Sequence, residues 1–252
     1  MEPLRGKTAI VTGATRGVGK ATVKALIAEG ARVTAVARGA EGLDRLRSEV
    51  QNGLETFRAD ASEPAIAERL LRELRPDLVV LAAGVAPHMA PLNEQTWESF
   101  SETWNSDTKA AFHFMKAAVS VPLRSGSTVV VLSSGAAITG SPLSGGYAGA
   151  KRMQWLLAQY AQQAADAKAL HIRFLAVLPR QLIEGTKIGA AAADAYGARQ
   201  GISGAEFMSR FDAPLDADKV AAAIVGALRG DVQHGVTALG VTGRGVEPLG
   251  TA

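Results

Sequence analysis

The sequence predicts an α/β protein of three layers, in which a doubly wound, seven-stranded parallel sheet is covered by helices on both faces. Three observations carry this reading. Strand-like and helix-like segments alternate along the 252 residues, the order that builds parallel strands joined by crossover helices. The strand-like runs are short and rich in Val, Ile, Leu and Ala, as strands buried on both faces must be. A glycine-rich turn, Thr12-Gly13-Ala14-Thr15-Arg16-Gly17-Val18-Gly19, joins the first strand to the first helix.

In chain order, the strands are expected at Thr8 to Thr12, Arg32 to Ala37, Leu54 to Arg58, Leu78 to Ala83, Thr128 to Leu132, Ile172 to Val177 and Val236 to Leu239. Helical periodicity falls between them, at Val18 to Glu29, Gly42 to Val50, Ala65 to Leu74, Thr96 to Val121, Tyr147 to Ala167 and Asp216 to Leu228. Gly30 is placed to close the first helix and Asp216 to cap the last. No Pro/Gly/Ser linker divides residues 1–252, so a single domain is expected. The stretch 181–214 is weakly patterned and rich in small residues, and segments of that kind inside an ordered domain commonly serve as lids.

Composition narrows the function. The 27 basic and 24 acidic residues leave a net charge of only +3, too small and dispersed for a nucleic-acid surface. With no cysteine there is no disulfide framework and no thiolate metal site. His88, His113, His171 and His234 lack metal-ligand spacing, so no metal is expected. The longest apolar run, Leu78 to Ala86, is too short to cross a bilayer as a helix, and the residues from Met1 do not form a secretory leader. A cytoplasmic protein with neither nucleic-acid nor membrane partners is the expectation.

Glycines directly after a first strand let the turn stay tight, let backbone amides approach a pyrophosphate and let the helix pack closely on the sheet. The N-terminus of that helix then faces an anion. Sheets that bind NAD commonly end the second strand with an acid for the ribose 2′-hydroxyl. This chain has Val36-Ala37-Arg38 there. Arg38 and Arg16 are suited instead to a 2′-phosphate, which favours NADP(H) over NAD(H).

Tyr147 and Lys151 are four residues apart on one expected helix, with Ser134 13 residues upstream of the tyrosine. Residues at i and i+4 share a helix face, so the ammonium lies beside the phenol and favours its ionised form. A phenol with an ordinary value near 10 needs roughly 4 kcal/mol to ionise at about pH 7. One charge about 4 Å away, at an effective dielectric of about 20, supplies about that much. Alone, such a pair also reads as the start of an amphipathic helix. Ser134 and the glycine turn set it apart.

Together, the turn Thr12 to Gly19, Ser134, Tyr147 and Lys151 resemble the short-chain dehydrogenase/reductase family in its compact single-domain branch. The resemblance implies a Rossmann-like fold and hydride transfer between NADP(H) and a carbonyl or secondary alcohol. It implies Tyr147 as general acid and base, Ser134 as hydrogen-bond donor to the substrate oxygen, and Lys151 as both tuner of Tyr147 and holder of the nicotinamide ribose. Asn105 resembles the family's catalytic asparagine. The implied cofactor contacts are Gly13, Thr15, Arg16, Gly17, Val18 and Gly19 of the turn, Arg38, Asp60 with Ala61 near the adenine, Ala83 and Gly84 after the fourth strand, Tyr147, Lys151, and Pro179 with Thr186 beside the nicotinamide. Family members pair through their long helices, so a homodimer or homotetramer is expected.

The chain departs from the family at three places, one of them the C-terminal end, where Val236 to Leu239 followed by Gly240-Val241-Thr242-Gly243 only loosely resembles the family's last strand. Leu81-Ala82-Ala83-Gly84 replaces an Asn-Asn-Ala-Gly motif whose side chains brace the sheet, and Arg180 stands where a glycine usually follows the sixth-strand proline. Arg180 is open to three readings: contact with an anionic substrate group, contact with a cofactor phosphate, or an outward turn. Ile138, Leu143, Tyr196, Phe207, Met208 and Phe211 form a candidate apolar cover over the substrate, although ordinary lid packing explains many of them equally well. The alternative function is a non-catalytic NADP(H)-binding sensor or scaffold of the same fold.

Overall fold

The computed structural model describes residues 4–50, 52–121, 123–233 and 235–250. Its strands are β1 (Thr8–Thr12), β2 (Arg32–Ala37), β3 (Leu54–Arg58), β4 (Leu78–Leu81), β5 (Thr128–Leu132), β6 (Arg173–Pro179), β7 (Ile183–Glu184), β8 (Leu215–Asp216), β9 (Ala238–Thr242) and β10 (Gly245–Leu249). Its α-helices are α1 (Gly17–Ala28), α2 (Ala40–Glu49), α3 (Pro64–Leu74), α4 (Trp97–Thr103), α5 (Lys109–Ser120), α6 (Ala136–Thr139), α7 (Tyr147–Ala167), α8 (Lys187–Arg199), α9 (Gly204–Ser209) and α10 (Ala217–Arg229).

The main sheet runs β10-β9-β6-β5-β4-β1-β2-β3, with β7 and β8 forming a separate parallel pair. From β9 to β3 every pairing is parallel, whereas β10 is antiparallel to β9. The sheet therefore has eight strands, one more than expected. The extra strand, Gly-Val-Glu-Pro-Leu, is almost wholly exposed and contains a proline, which only an edge tolerates, so no buried apolar run marks it in the sequence.

Side chains that alternate across the pleat feed two cores. Ala9 and Val11 of β1 pack with Val23 and Leu26 of α1, Leu46 of α2 and Ile224 of α10. Ile10, between them, joins Leu70 of α3, Phe114 of α5 and Trp155 of α7 on the opposite face. Local signals set the helix ends. Gly30, at φ +85°, donates its N–H to Ile27 O beyond α1, and the Asp216 carboxylate accepts from Lys219 N–H at the start of α10.

Two segments differ from the expected layout. The helix read as unbroken from Thr96 to Val121 is α4 and α5 joined by a π-type turn at Trp104–Thr108. Such wide turns re-aim the side chains that follow and often mark functional sites. The segment 181–214, which lacks a clear period, contains β7, α8 and α9. Helix α8 is rich in alanine with glycines inside it, so it has little amphipathic contrast to read.

Candidate active site

Chain order reverses between β1 and β4, and open α/β sheets bind ligands in the crevice above such a point. The glycine turn forms one wall. Gly13 has φ +67°, and a Cβ there would stand 2.5 Å from Ala82 O, so the turn meets the end of β4 only as glycine. A Cβ on Gly19 would collide with the Gly13 carbonyl in the same way. Thr12 Oγ1 accepts from the N–H groups of Ala82 and Ala83, each at 3.2 Å, and so fastens β1 to the end of β4 where the family's asparagines are missing.

The expected cofactor residues gather on this rim. A Cβ at Gly17 would lie 3.5 Å from the Thr186 methyl, which places the start of α8 against the glycine turn. Gly135 donates to Pro179 O at 2.7 Å, joining the loop after β5 to the end of β6. Arg16, the residue before α1, makes no capping bond to that helix, and its guanidinium lies 3.4 Å from Gly84 O. The first turn of α1 carries no acid. Close backbone approach and an anion-ready helix start fit a dinucleotide pyrophosphate.

At the outer end of the crevice, Arg38 is 61% exposed and faces Asp60 at 3.8 Å. Burial opposes ionisation of Asp60. Hydrogen bonds from the Ser62 N–H and hydroxyl, with the charges of Arg38 and Lys109, outweigh that and hold its carboxyl below the ordinary value. Arg58 donates its Nε–H to Arg38 O and ties β3 to the end of β2, a contact the sequence did not announce.

At the inner end, Tyr147 opens α7 and Lys151 follows one turn later, 94% buried, with its ammonium 5.5 Å from the phenol ring centre. Lys151 Nζ also donates to Leu132 O at 3.3 Å, and Ser133 Oγ donates to Lys151 O at 2.7 Å. These bonds lock α7 to the end of β5, where Ser134 stands with its hydroxyl accepting from Ala136 N–H. Trp104 steadies the start of α7 by donating to Gly146 O at 3.0 Å.

A further acid completes this group. Asp107, 99% buried in the π-type turn, places Oδ2 3.0 Å from Lys151 Nζ. At this distance the two groups form a buried ion pair. The other oxygen of Asp107 accepts from Val85 N–H at 3.0 Å, and Gln154 donates to the Asp107 backbone carbonyl. Burial pulls the Lys151 ammonium toward neutrality, but the charges of Asp107 and Tyr147 prevail and raise its value above that of an ordinary lysine. A raised lysine contributes stability throughout the neutral range and loses it only as pH climbs through the raised value.

The model of the short chain dehydrogenase family matches residues 7–195. The chain belongs to that family. Among its relatives, L-xylulose reductase of Mesocricetus auratus is 42% identical over 108 residues, covering 42% of this chain and 43% of that protein. Carbonyl reductase [NADPH] 2 of Sus scrofa is 40% identical over the same length and also matches across 43% of its own chain. A longer match, 29% identical over 186 residues, reaches 2,5-dichloro-2,5-cyclohexadiene-1,4-diol dehydrogenase of Sphingobium indicum and covers 71% of this chain and 74% of the relative. The matched stretch thus spans less than half the length of the reductases.

Against the family pattern, one expected site residue lies elsewhere. Asn105 is exposed, and its amide donates to Ser101 Oγ one helical turn back, so Asp107 and not Asn105 faces Lys151. Arg180 turns outward, running across β9 past Gly240 to pair with Glu247 on β10. Trp155 is core, whereas Trp97 is 73% exposed. Tyr196 stacks on Phe207, and its hydroxyl bonds Ser141 Oγ at 2.8 Å, which fastens α8 over the loop before Tyr147. Leu143 is buried and Ile138 exposed.

Among the described residues no group of three or more His, Cys, Asp or Glu is placed to hold a metal ion, and no helix is long and apolar enough to cross a membrane. His234 lies outside the described residues. A groove between α10 and the β9–β10 hairpin is lined by none of the expected site residues.

Proposed function

We propose that this protein is an NADP(H)-dependent oxidoreductase that interconverts a carbonyl compound and the corresponding secondary alcohol. The observation that carries the reading is the buried Lys151 ammonium beside the Tyr147 phenol, fixed to the end of β5. When bound, the nicotinamide supplies or accepts the hydride. Tyr147 gives its proton to the carbonyl oxygen in reduction and takes it back in oxidation, while the Ser134 hydroxyl donates a hydrogen bond to that oxygen as charge develops. Lys151 orients the phenol electrostatically and reaches for the nicotinamide ribose.

Gly13, Thr15, Gly17, Val18 and Gly19 hold the pyrophosphate against α1, Asp60 and Ala61 border the adenine, and Ala83, Gly84, Pro179 and Thr186 border the ribose and nicotinamide. Arg16 and Arg38 are exposed at the rim and suited to clamp a 2′-phosphate, and no acid competes for a 2′-hydroxyl at the end of β2. The similarity to the pig protein, a carbonyl reductase named for NADPH, supports both the cofactor and the substrate class. The exposed Trp97, Phe112 and Tyr160 on α4, α5 and α7 support a homodimer or homotetramer built through those helices.

The test is NADPH oxidation against a panel of ketones and ketoses, with NADPH and NADH dissociation constants measured alongside. Turnover by the native chain, its loss of at least about a thousandfold in Tyr147→Phe with NADPH binding retained, and tighter binding of NADPH are the expected results. Full activity in Tyr147→Phe removes the acid role. Tighter binding of NADH removes the cofactor assignment, and binding without turnover across the panel favours a non-catalytic sensor.

A further inference from the structure

The Lys151–Asp107 pair is the one place where two opposite charges are taken fully out of water in the described residues. A buried carboxylate is costly unless something uses its charge. Its surroundings are built to keep it there. A Cβ on Gly84 would lie 2.7 Å from Asp107 Oδ2, so glycine at this position leaves room for the carboxylate against the end of β4. Val85 N–H holds the second oxygen, and Gln154 holds the carbonyl of the same residue. The π-type turn aims the side chain at α7.

Resting on the oxidoreductase reading above, we propose that Asp107 is a positioning residue whose charge offsets the Lys151 ammonium and keeps Tyr147 a phenol, the proton-donating form used in carbonyl reduction, to higher pH than a neutral side chain would. A cation beside a phenol draws its proton away, and a carboxylate on the far side of that cation reduces the pull. Both protons of the Tyr147–Lys151 couple are harder to remove with Asp107 present, so the couple is biased toward giving a proton.

Other charges around the couple are directed elsewhere. Arg152, on α7 itself, donates to Ala137 O. Arg16 from the glycine turn lies on Gly84 O, Arg180 after β6 is held by Glu247, and Lys109, beyond the π-type turn, is exposed and acts on Asp60. Among the described residues Asp107 is the acid in ion-pair contact with Lys151.

The experiment replaces Asp107 with Asn, which keeps an oxygen for Val85 N–H, and separately with Ser, a smaller neutral acceptor. Tyrosinate absorbance is titrated in each chain and in its Tyr147→Phe counterpart, and the difference isolates one of the chain's three tyrosines. In both neutral variants the Tyr147 midpoint should fall by about one to two pH units, the effect of one charge about 7 Å away at an effective dielectric of about 20. The rising limb of alcohol oxidation should move down with it. A purely structural role would lower melting temperature, differently for Asn and Ser, and leave the midpoint in place. A midpoint that is unchanged or raised in both variants overturns the proposal. Because the spectral titration needs no substrate, failure of the ketone panel would remove the oxidoreductase reading without deciding the role of Asp107.

Discussion

Arg38 with Asp60 and Lys151 with Asp107 each set a cation against a carboxylate at the C-terminal edge of one sheet. The first pair is separated by 3.8 Å with side chains 61% and 36% exposed, and the second by 3.0 Å with side chains 7% and 1% exposed. Water screens the outer pair, so its mutual attraction is worth little and its cation stays available to a ligand. The inner pair has exchanged hydration for each other and for backbone partners, so neither member is free to leave. Under the proposed function, the same chemistry would serve binding at the open end of the crevice and proton control at the closed end. Depth alone makes the difference.

The sharpest way to break this comparison is to remove one cation from each pair. Lys151→Met leaves the Asp107 carboxylate buried without its counter-charge, and the loss of one member of a buried pair costs about 3–5 kcal/mol. Chemical denaturation of the native chain and this variant measures that difference. Adding Asp107→Asn to Lys151→Met removes the stranded charge and should restore at least about half of the lost stability. If the double variant is no more stable than Lys151→Met, the inner pair is not the charge-compensated unit described above.

Arg38→Ala is the matching change at the outer end and should separate binding from stability. Its effect on unfolding should stay below about 1 kcal/mol, because an exposed pair contributes no more. NADPH should bind roughly tenfold more weakly, as the loss of a charge-assisted contact to a phosphate implies, while NADH binding stays within about twofold. Titration calorimetry with each nucleotide reads this. Equal weakening of both nucleotides would show that Arg38 shapes the site rather than reading the phosphate.

The two ends were also unequally legible in the sequence. Strands β1, β2, β3 and β5 and helix α7 occupy the residues expected of them, because each is an apolar or periodic run bounded by glycine or polar residues. The glycine turn reads equally well, since its requirement is for an absent side chain. Asp107 did not. The sequence offered an unbroken helix with an asparagine in it, and the π-type turn, which no composition announces, puts a different residue against Lys151. A signal was present in the polar run Trp104-Asn105-Ser106-Asp107-Thr108 set within a helix that is otherwise buried along one face. Arg180 was undecided for a similar reason. Its path depends on Gly240, whose missing side chain opens the way to Glu247, and on β10, an edge strand too exposed to be read as one.

Packing of the expected lid, residues 181–214, offers the mildest test, because it lies between the two extremes of burial. Tyr196 of α8 is half-buried against Phe207, with its hydroxyl bonded to Ser141 in the loop that leads to Tyr147. Tyr196→Phe keeps the stacked ring and deletes that bond, worth about 1 kcal/mol, together with the longer one that the hydroxyl accepts from Leu143 N–H at 3.5 Å. Since the bond joins α8 to the loop before Tyr147 rather than to Tyr147 or Lys151, its loss should raise KM about two- to fivefold and leave kcat nearly unchanged. Steady-state kinetics on whichever ketone the panel identifies measures both. A fall in kcat with KM constant would mean that the lid bears on the proton couple itself, and the separation between binding at the rim and proton control at depth would then fail.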